Sequence, residues 1–362
     1  MSLPNQPSRR HLLAALAGFA GVAGRTEQSH ALPVRQLEFP RDRGAHPEFR
    51  TEWWYITGHA ETAAPGGREF GFQLTFFRSR VADTQAMASK FAARQLVFAH
   101  AAVTDVQGKK LWHDQRIARA SFGIALASDS DMDLKLRDWS LKAEGANYAA
   151  ELPAPGFAIQ LRFQETQGLL LQGRQGLSRK GPDEKQASYY YSQPQLAARG
   201  SLRIGEARFD VAGKAWLDHE WSDEVLHASA VGWDWIGMNL DDGGALTAFR
   251  LRDREGNAVW DGGSFRSSAG ELRIFNRGEV IFQPTRSWTS PLSRTRYPVQ
   301  WHVTTPVASY GVAAVIDDQE LDSRNSTGSI YWEGLSRLLD SQGRRVGTGY
   351  LEMTGYAEAL RL

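Results

Sequence analysis

Alternation of apolar and polar residues constrains this chain more than any other feature. In REFGFQLTFFRSR, Phe70, Phe72, Leu74 and Phe76 recur at every second position and so share one face of an extended strand. Arg78 continues that face. QLVFAHAAVTD alternates too, with Phe98 and His100 on one side and Val97, Ala99 and Val103 on the other. DLKLRDWSLKAE and FAIQLRFQE read as further strands, and the segments between carry turn chemistry: APGG at 64–67, DVQGKK at 105–110, PAPG at 153–156. In the second half, GWDWIGMNLDDGGALTAFRLRDREG reads as strand, DDGG turn, strand, with Trp233, Trp235 and Asn239 on one face. Helical periodicity is scarce, and TQAMASKFAARQL (84–96) is its best candidate, a short helix or lid. With 17 Phe, 12 Trp, 10 Tyr and 35 Gly, the composition agrees with an all-β fold.

A chain of 362 residues is too long for one small core and suits two domains. An internal echo supports a duplication. LTFFR ends at Arg78 and LTAFR at Arg250, and each follows a Trp-rich strand, EWWYITGH or GWDWIGMN. The alternation pauses in SQPQLAARGSL, which reads as loop, so the expected domains are 32–205 and 206–362. Antiparallel sheets must close or cover their edges. Two up-and-down β-barrels do this, each wide enough to hold a small apolar ligand, and a sandwich is the alternative.

Charge and composition narrow the partners. Forty-two basic residues face 41 acidic ones, which argues against nucleic acid. No cysteine is present, so disulfides, thiolate nucleophiles and thiolate metal sites are excluded. Residues 1–31 read as a cleavable export signal. Arg9 and Arg10 precede an apolar run from Leu12 to Gly24, and SHA ends at Ala31. The run falls short of the ~20 residues of a spanning helix. Ser8-Arg9-Arg10 with Leu12 and Leu13 is of the twin-arginine type, with an ordinary secretory signal as the alternative. The expected mature chain starts near Leu32, is soluble, has no transmembrane segment, and works in the periplasm or outside the cell.

Several constellations carry possible chemistry. EWWYITGH holds Glu52, Trp53, Trp54 and Tyr55, either as a barrel floor or as a pocket whose burial would keep Glu52 protonated. Arg78 and Arg250 lie on or beside apolar faces and need partners, for which Glu52, Asp218 and Glu220 are candidates. His100 alternates with Phe98, as a satisfied core histidine or a ligand contact. AWLDHEW sets Asp218, His219 and Glu220 between Trp216 and Trp221. On a strand, Trp216, Asp218 and Glu220 share one face while His219 and Trp221 share the other, so residues 218–220 cannot chelate together, and no metal or cofactor is expected. A carboxyl beside an indole has a raised pKa and can act as an acid, with Trp233 or Trp235 stabilising a cation. Asp218, Glu220 and His219 are therefore the catalytic candidates. The structural alternative is a network joining two domains. No phosphate loop is present, and a Ser-His-Asp triad stays open.

Taken together, EWWYITGH, GFQLTFFRS, HAAVTD, SYYYSQPQL, AWLDHEWS, GWDWIGMNLDDG, YWEG and GYLEMTGY resemble the AttH and hydroxyneurosporene-synthase (CrtC-like) proteins, also described as predicted secreted hydrolases. The resemblance runs from about residue 48 to 356 and implies two tandem lipocalin-like barrels. Tyr331 and Glu333 of YWEG join the ligand-contact set. The family includes carotenoid 1,2-hydratases, which add water to a C=C bond without a cofactor, a fungal plant-toxin hydratase and cyclisation catalysts. Its branch with a signal peptide is associated with ABC-type export systems. Two functions follow as expectations: a periplasmic binding protein for a lipid or isoprenoid, working with such a transporter, or a hydratase or hydrolase with an acidic proton donor.

Overall fold

The Phe70–Phe76 alternation becomes the strand Glu69–Arg80, which pairs with Thr51–Thr62 in a hairpin in the computed structural model, where residues 31–360 apart from Pro65 are described. Apart from Ala31, the export signal therefore lies outside the described residues. The hairpin sits mid-sheet. Beyond Glu69–Arg80 come Gln95–Asp105 and Lys110–Arg119; beyond Thr51–Thr62 come Ala207–Glu224, Ala187–Ile204 and Phe157–Gln164, then shorter strands out to Ala125–Ala127. The sheet has thirteen antiparallel strands, and its two ends curl toward each other. Phe70, Phe72, Leu74, Phe76, Trp139 and Phe163 fill the interior, fully buried. Each such side chain contributes roughly 1.5–3 kcal/mol on burial, which holds the register, since a one-residue slip would turn the whole set outward.

A second, ten-stranded antiparallel sheet is built on the Gly232–Leu240 and Ala245–Arg252 hairpin, with Arg345–Met353 and Ile330–Leu339 on its other flank. Tyr297, Trp301 and Trp332 anchor its separate core. Among the described residues no helix is long and apolar enough to cross a membrane.

The echo of the two arginines is a repeated piece of register. Glu52 lies opposite Arg78 in the first hairpin, and Asp234 lies opposite Arg250 in the second. Each pair is an ion pair, at 2.8 and 2.7 Å. The repetition extends to the neighbouring strands: Trp53 lies opposite Glu220, and Trp235 opposite Glu352.

Three expectations are corrected. Residues 84–96 form no α-helix; Ala82–Thr84 is a single 3-10 turn and Gln95 already begins a strand. SQPQLAARGSL is not a loop but lies within the eighteen-residue strand Ala187–Ile204. Its alternation pauses because Pro194 has no N–H for the ladder, and a bulge between Gln193 and Leu196 absorbs it. Gln195 in the bulge has φ +60° and ties the sheets together. Its N–H donates to Asn239 Oδ1 (2.7 Å) and its side chain to the carbonyls of Leu240 and Gly244. The strand Ala207–Glu224, which a boundary at 205/206 assigns to the second half, pairs into the first sheet. The sheets change over in residues 225–231.

Candidate acid site at the sheet junction

Alternation along Ala207–Glu224 splits AWLDHEW between two environments. His219 and Trp221 face the first sheet's interior, whereas Trp216, Asp218 and Glu220 face the second sheet. The opposing face brings Trp235, Phe249, Leu335 and Tyr350, which pack with Tyr55 and Trp216 into a junction cluster.

Asp218 is buried there with three donors. Ser192 Oγ (2.5 Å) and Trp216 Nε1 (2.7 Å) donate to Oδ1, and Tyr190 OH (2.8 Å) to Oδ2. Burial pushes its pKa up to about 7 against those three hydrogen bonds, and the charge of Glu220 adds to the rise. A raised pKa is what the sequence leads one to expect of this carboxyl, but the indole N–H of Trp216 opposes the rise and burial produces it. Glu220 accepts from Ser188 and pairs with Lys180 Nζ at 2.9 Å. Lys180 lies against the rings of Phe249 (4.4 Å) and Tyr190 (4.7 Å).

Two further carboxyls face the same junction. Glu352 takes one hydrogen bond, from Trp233 Nε1 (3.0 Å), and burial raises it to about 7 against that bond, with Asp218 and Glu220 adding. Glu333, its cross-strand neighbour, is raised well above its ordinary value by burial and by the charge of Glu352. Glu333 Oε1 and Tyr55 OH are buried atoms without a close hydrogen-bond partner. With Asp218 and Glu352 both raised to about 7 by burial, the junction holds protons near neutrality.

The remaining candidates lie elsewhere. Glu52, Trp54, Arg78, His219 and Trp221 belong to a charge network inside the first sheet, on the far side of the strand from Asp218. Glu52 accepts from Arg78 Nε (2.8 Å) and the His46 N–H (2.9 Å), and its other oxygen meets His46 Nδ1 (2.7 Å) and His219 Nε2 (2.9 Å). Burial would raise Glu52, but these partners hold it far below the usual carboxylate range, so it is a fixed anion and not the usable acid expected. Burial lowers His219 to about 4 despite Glu52, leaving it neutral, and its ring stacks on Trp54 at 4.7 Å. His46, Glu52 and His219 each place one possible metal-ligand atom within 4.8 Å of the others, and these atoms are engaged with one another. Arg78 has the partner expected for it; Arg250 pairs with Asp234, which the sequence reading did not weigh. His100 bridges the sheets, bonding Tyr331 OH and Ser326 Oγ at 2.8 Å each. Asn239 donates to the Ala215 carbonyl, another sheet-to-sheet tie. Trp53 lines the junction partly buried.

Sequence reasoning missed Lys180, Tyr190, Ser192 and Glu352. SYYYSQPQL and GYLEMTGY held three of them in plain view, but only strand pairing shows that Ser192 lies opposite Asp218.

Two curled antiparallel sheets with a buried acid cluster between them define a lipocalin-like protein of the two-sheet type. The solved structures agree. A crystal structure of an AttH protein from Nitrosomonas europaea has 43% sequence identity and a TM-score of 0.83, covering 90% of this chain and 99% of that one. Kievitone hydratase from Nectria haematococca has the same fold at 13% identity and a TM-score of 0.65, covering 90% and 96%. CghA with Sch210972 follows at 13% and 0.51, covering 86% and 89%. No curated protein matches the sequence. The AttH-like family profile matches residues 30–356, and the chain belongs to that family.

Proposed function

We propose that the junction is the active site of a cofactor-free acid catalyst that adds water to a C=C bond of an apolar, isoprenoid-like substrate. The observation that carries this reading is Asp218, a buried carboxyl whose pKa of about 7 keeps much of it protonated, set against the indoles of Trp216 and Trp235. In neutral Asp218 the proton sits on Oδ2, because Oδ1 already accepts from Ser192 and Trp216, and the Tyr190 hydrogen bond reverses so that Oδ2–H donates to the Tyr190 oxygen. A substrate that displaces the Tyr190 hydroxyl receives that proton at the less substituted alkene carbon. The π electrons form the new C–H bond, and the cation left on the other carbon faces the indoles. Water attacks that carbon and returns a proton to the carboxylate, so the net change is addition of one water. The fold is shared with a protein that bears the name hydratase, which is in keeping with this reading.

Binding without turnover is the second reading, favoured by a cleft of about 350 Å³ beside the junction that reaches Phe249 and Gln172. An ABC-type envelope transporter as partner and a periplasmic location after twin-arginine export belong to it; their support is the resemblance and the sequence of residues 1–31. The test is incubation of the mature protein and its Asp218→Asn variant with a prenylated phenol in ¹⁸O-water, followed by mass spectrometry. Gain of one labelled water by the wild type alone supports the acid. Bound but unchanged phenol with both proteins refutes catalysis and leaves the carrier.

A further inference from the structure

The cleft beside the junction has a composition that the acid site does not explain. It lies between residues 172–179, which pack beside the long Ala187–Ile204 strand, and the second sheet's Ala258–Arg266 and Leu272–Phe275 strands. Its apolar surface comes from Trp260, Phe249 and Ile274. Arg174, Arg179 and Arg277 stand around it, and none of the three forms an ion pair among the described residues. The guanidinium carbons of Arg179 and Arg277 lie 5.4 and 5.1 Å from the Trp260 ring, so the indole carries two cations.

Three unpaired arginines in one cleft are out of proportion to a chain whose net charge is +1. The one acid in the wall, Asp261, does not neutralise them. Its oxygens accept from the backbone N–H groups of Gly278 (2.8 Å) and Val280 (3.1 Å). Arg179 is only half used: Nη2 donates to the carbonyls of Gly181 and Pro182 at 3.0 Å, while Nε is buried with no partner. A buried guanidinium N–H without an acceptor is costly, and an anionic oxygen is its natural complement. A volume of about 350 Å³ fits a small ligand.

The cleft also connects with the acid cluster. Gln172 donates to Ser192 Oγ, which donates to Asp218, and Phe249, which lines the cleft, also lies against Lys180. We propose that this cleft binds a single-chain anionic amphiphile. Its carboxylate or phosphate head pairs with Arg179 and Arg277, and its apolar tail lies along Trp260 and Phe249 toward the junction. This deepens the function proposed above, because it takes the cleft as the mouth of that site and makes its substrate an anion.

The test uses saturated probes, which cannot be hydrated, so its outcome is independent of turnover. Isothermal titration of the mature protein below the micellar concentration compares dodecanoate, dodecyl phosphate and dodecanol. One of the two anions binds about tenfold or more tighter than the alcohol at low salt, as charge-assisted pairing predicts, and the two heads differ in which is preferred. The Arg179→Gln, Arg277→Gln double variant loses that preference while its affinity for dodecanol is unchanged, which also shows that it is folded. Asp218→Asn keeps the preference. Equal affinity for all three probes overturns the proposal, as does a preference that survives in the double variant. A retained anion preference with no hydration of the phenol fails the acid reading alone.

Discussion

Replacing Asp218 with Asn tests whether the junction stores a proton. Asn is close in shape to the neutral acid. Its Oδ1 can accept from Ser192 and Trp216, and its Nδ2 can donate to the Tyr190 oxygen. The wild-type carboxyl has a pKa of about 7 in the folded chain against 3.8 as its ordinary value. The folded state therefore binds more protons than the unfolded state between those limits. Stability contributed by protonated Asp218 is fully present below about pH 4 and is lost as the pH rises to about 7. Three pH units at about 1.4 kcal/mol each give a loss of about 4 kcal/mol. The variant lacks this term. Urea denaturation of both proteins across that window should show the wild type falling behind Asp218→Asn by that order, with the difference levelling off above about pH 7. Glu352 and Glu333 stay buried in both proteins; the variant loses only the part of the Glu352 rise that comes from the Asp218 charge, a smaller cause than burial. A difference that stays flat across the window would refute a protonated Asp218, and with it the acid chemistry.

Glu52→Gln removes the anion that compensates Arg78 and accepts from His46 in the first sheet; it should cost about 3–5 kcal/mol in denaturant unfolding, with the far-UV signature of the native protein kept at low denaturant. His100 shows the opposite pH sign to Asp218: burial lowers it to about 3 from 6.5, so its stabilisation is present above about pH 6.5 and is lost as the pH falls. His100→Gln should therefore gain on the wild type by about 1.4 kcal/mol per unit as the pH is lowered from about 6.5 to 4.5, read as shifts in the urea midpoint.

The sequence by itself determined the strand faces. A period of two is a local property of extended backbone, so it correctly put Trp216, Asp218 and Glu220 on one side and His219 and Trp221 on the other. It also paired the two arginine-bearing hairpins, because a duplicated register leaves a duplicated motif. It misread SQPQLAARGSL, where a bulge around Pro194 breaks the period without ending the strand. What lies opposite a face was beyond it. Glu52 and Asp218 are both buried carboxyls on tryptophan-rich strands, and nothing local tells them apart. Only the tertiary structure gives Glu52 a guanidinium and two imidazoles, which fix its charge, and gives Asp218 three neutral donors and a second sheet of acids, which leave it a proton. Desolvation and partner charge act through space, between strands distant along the chain, and they decide which of the two can do chemistry.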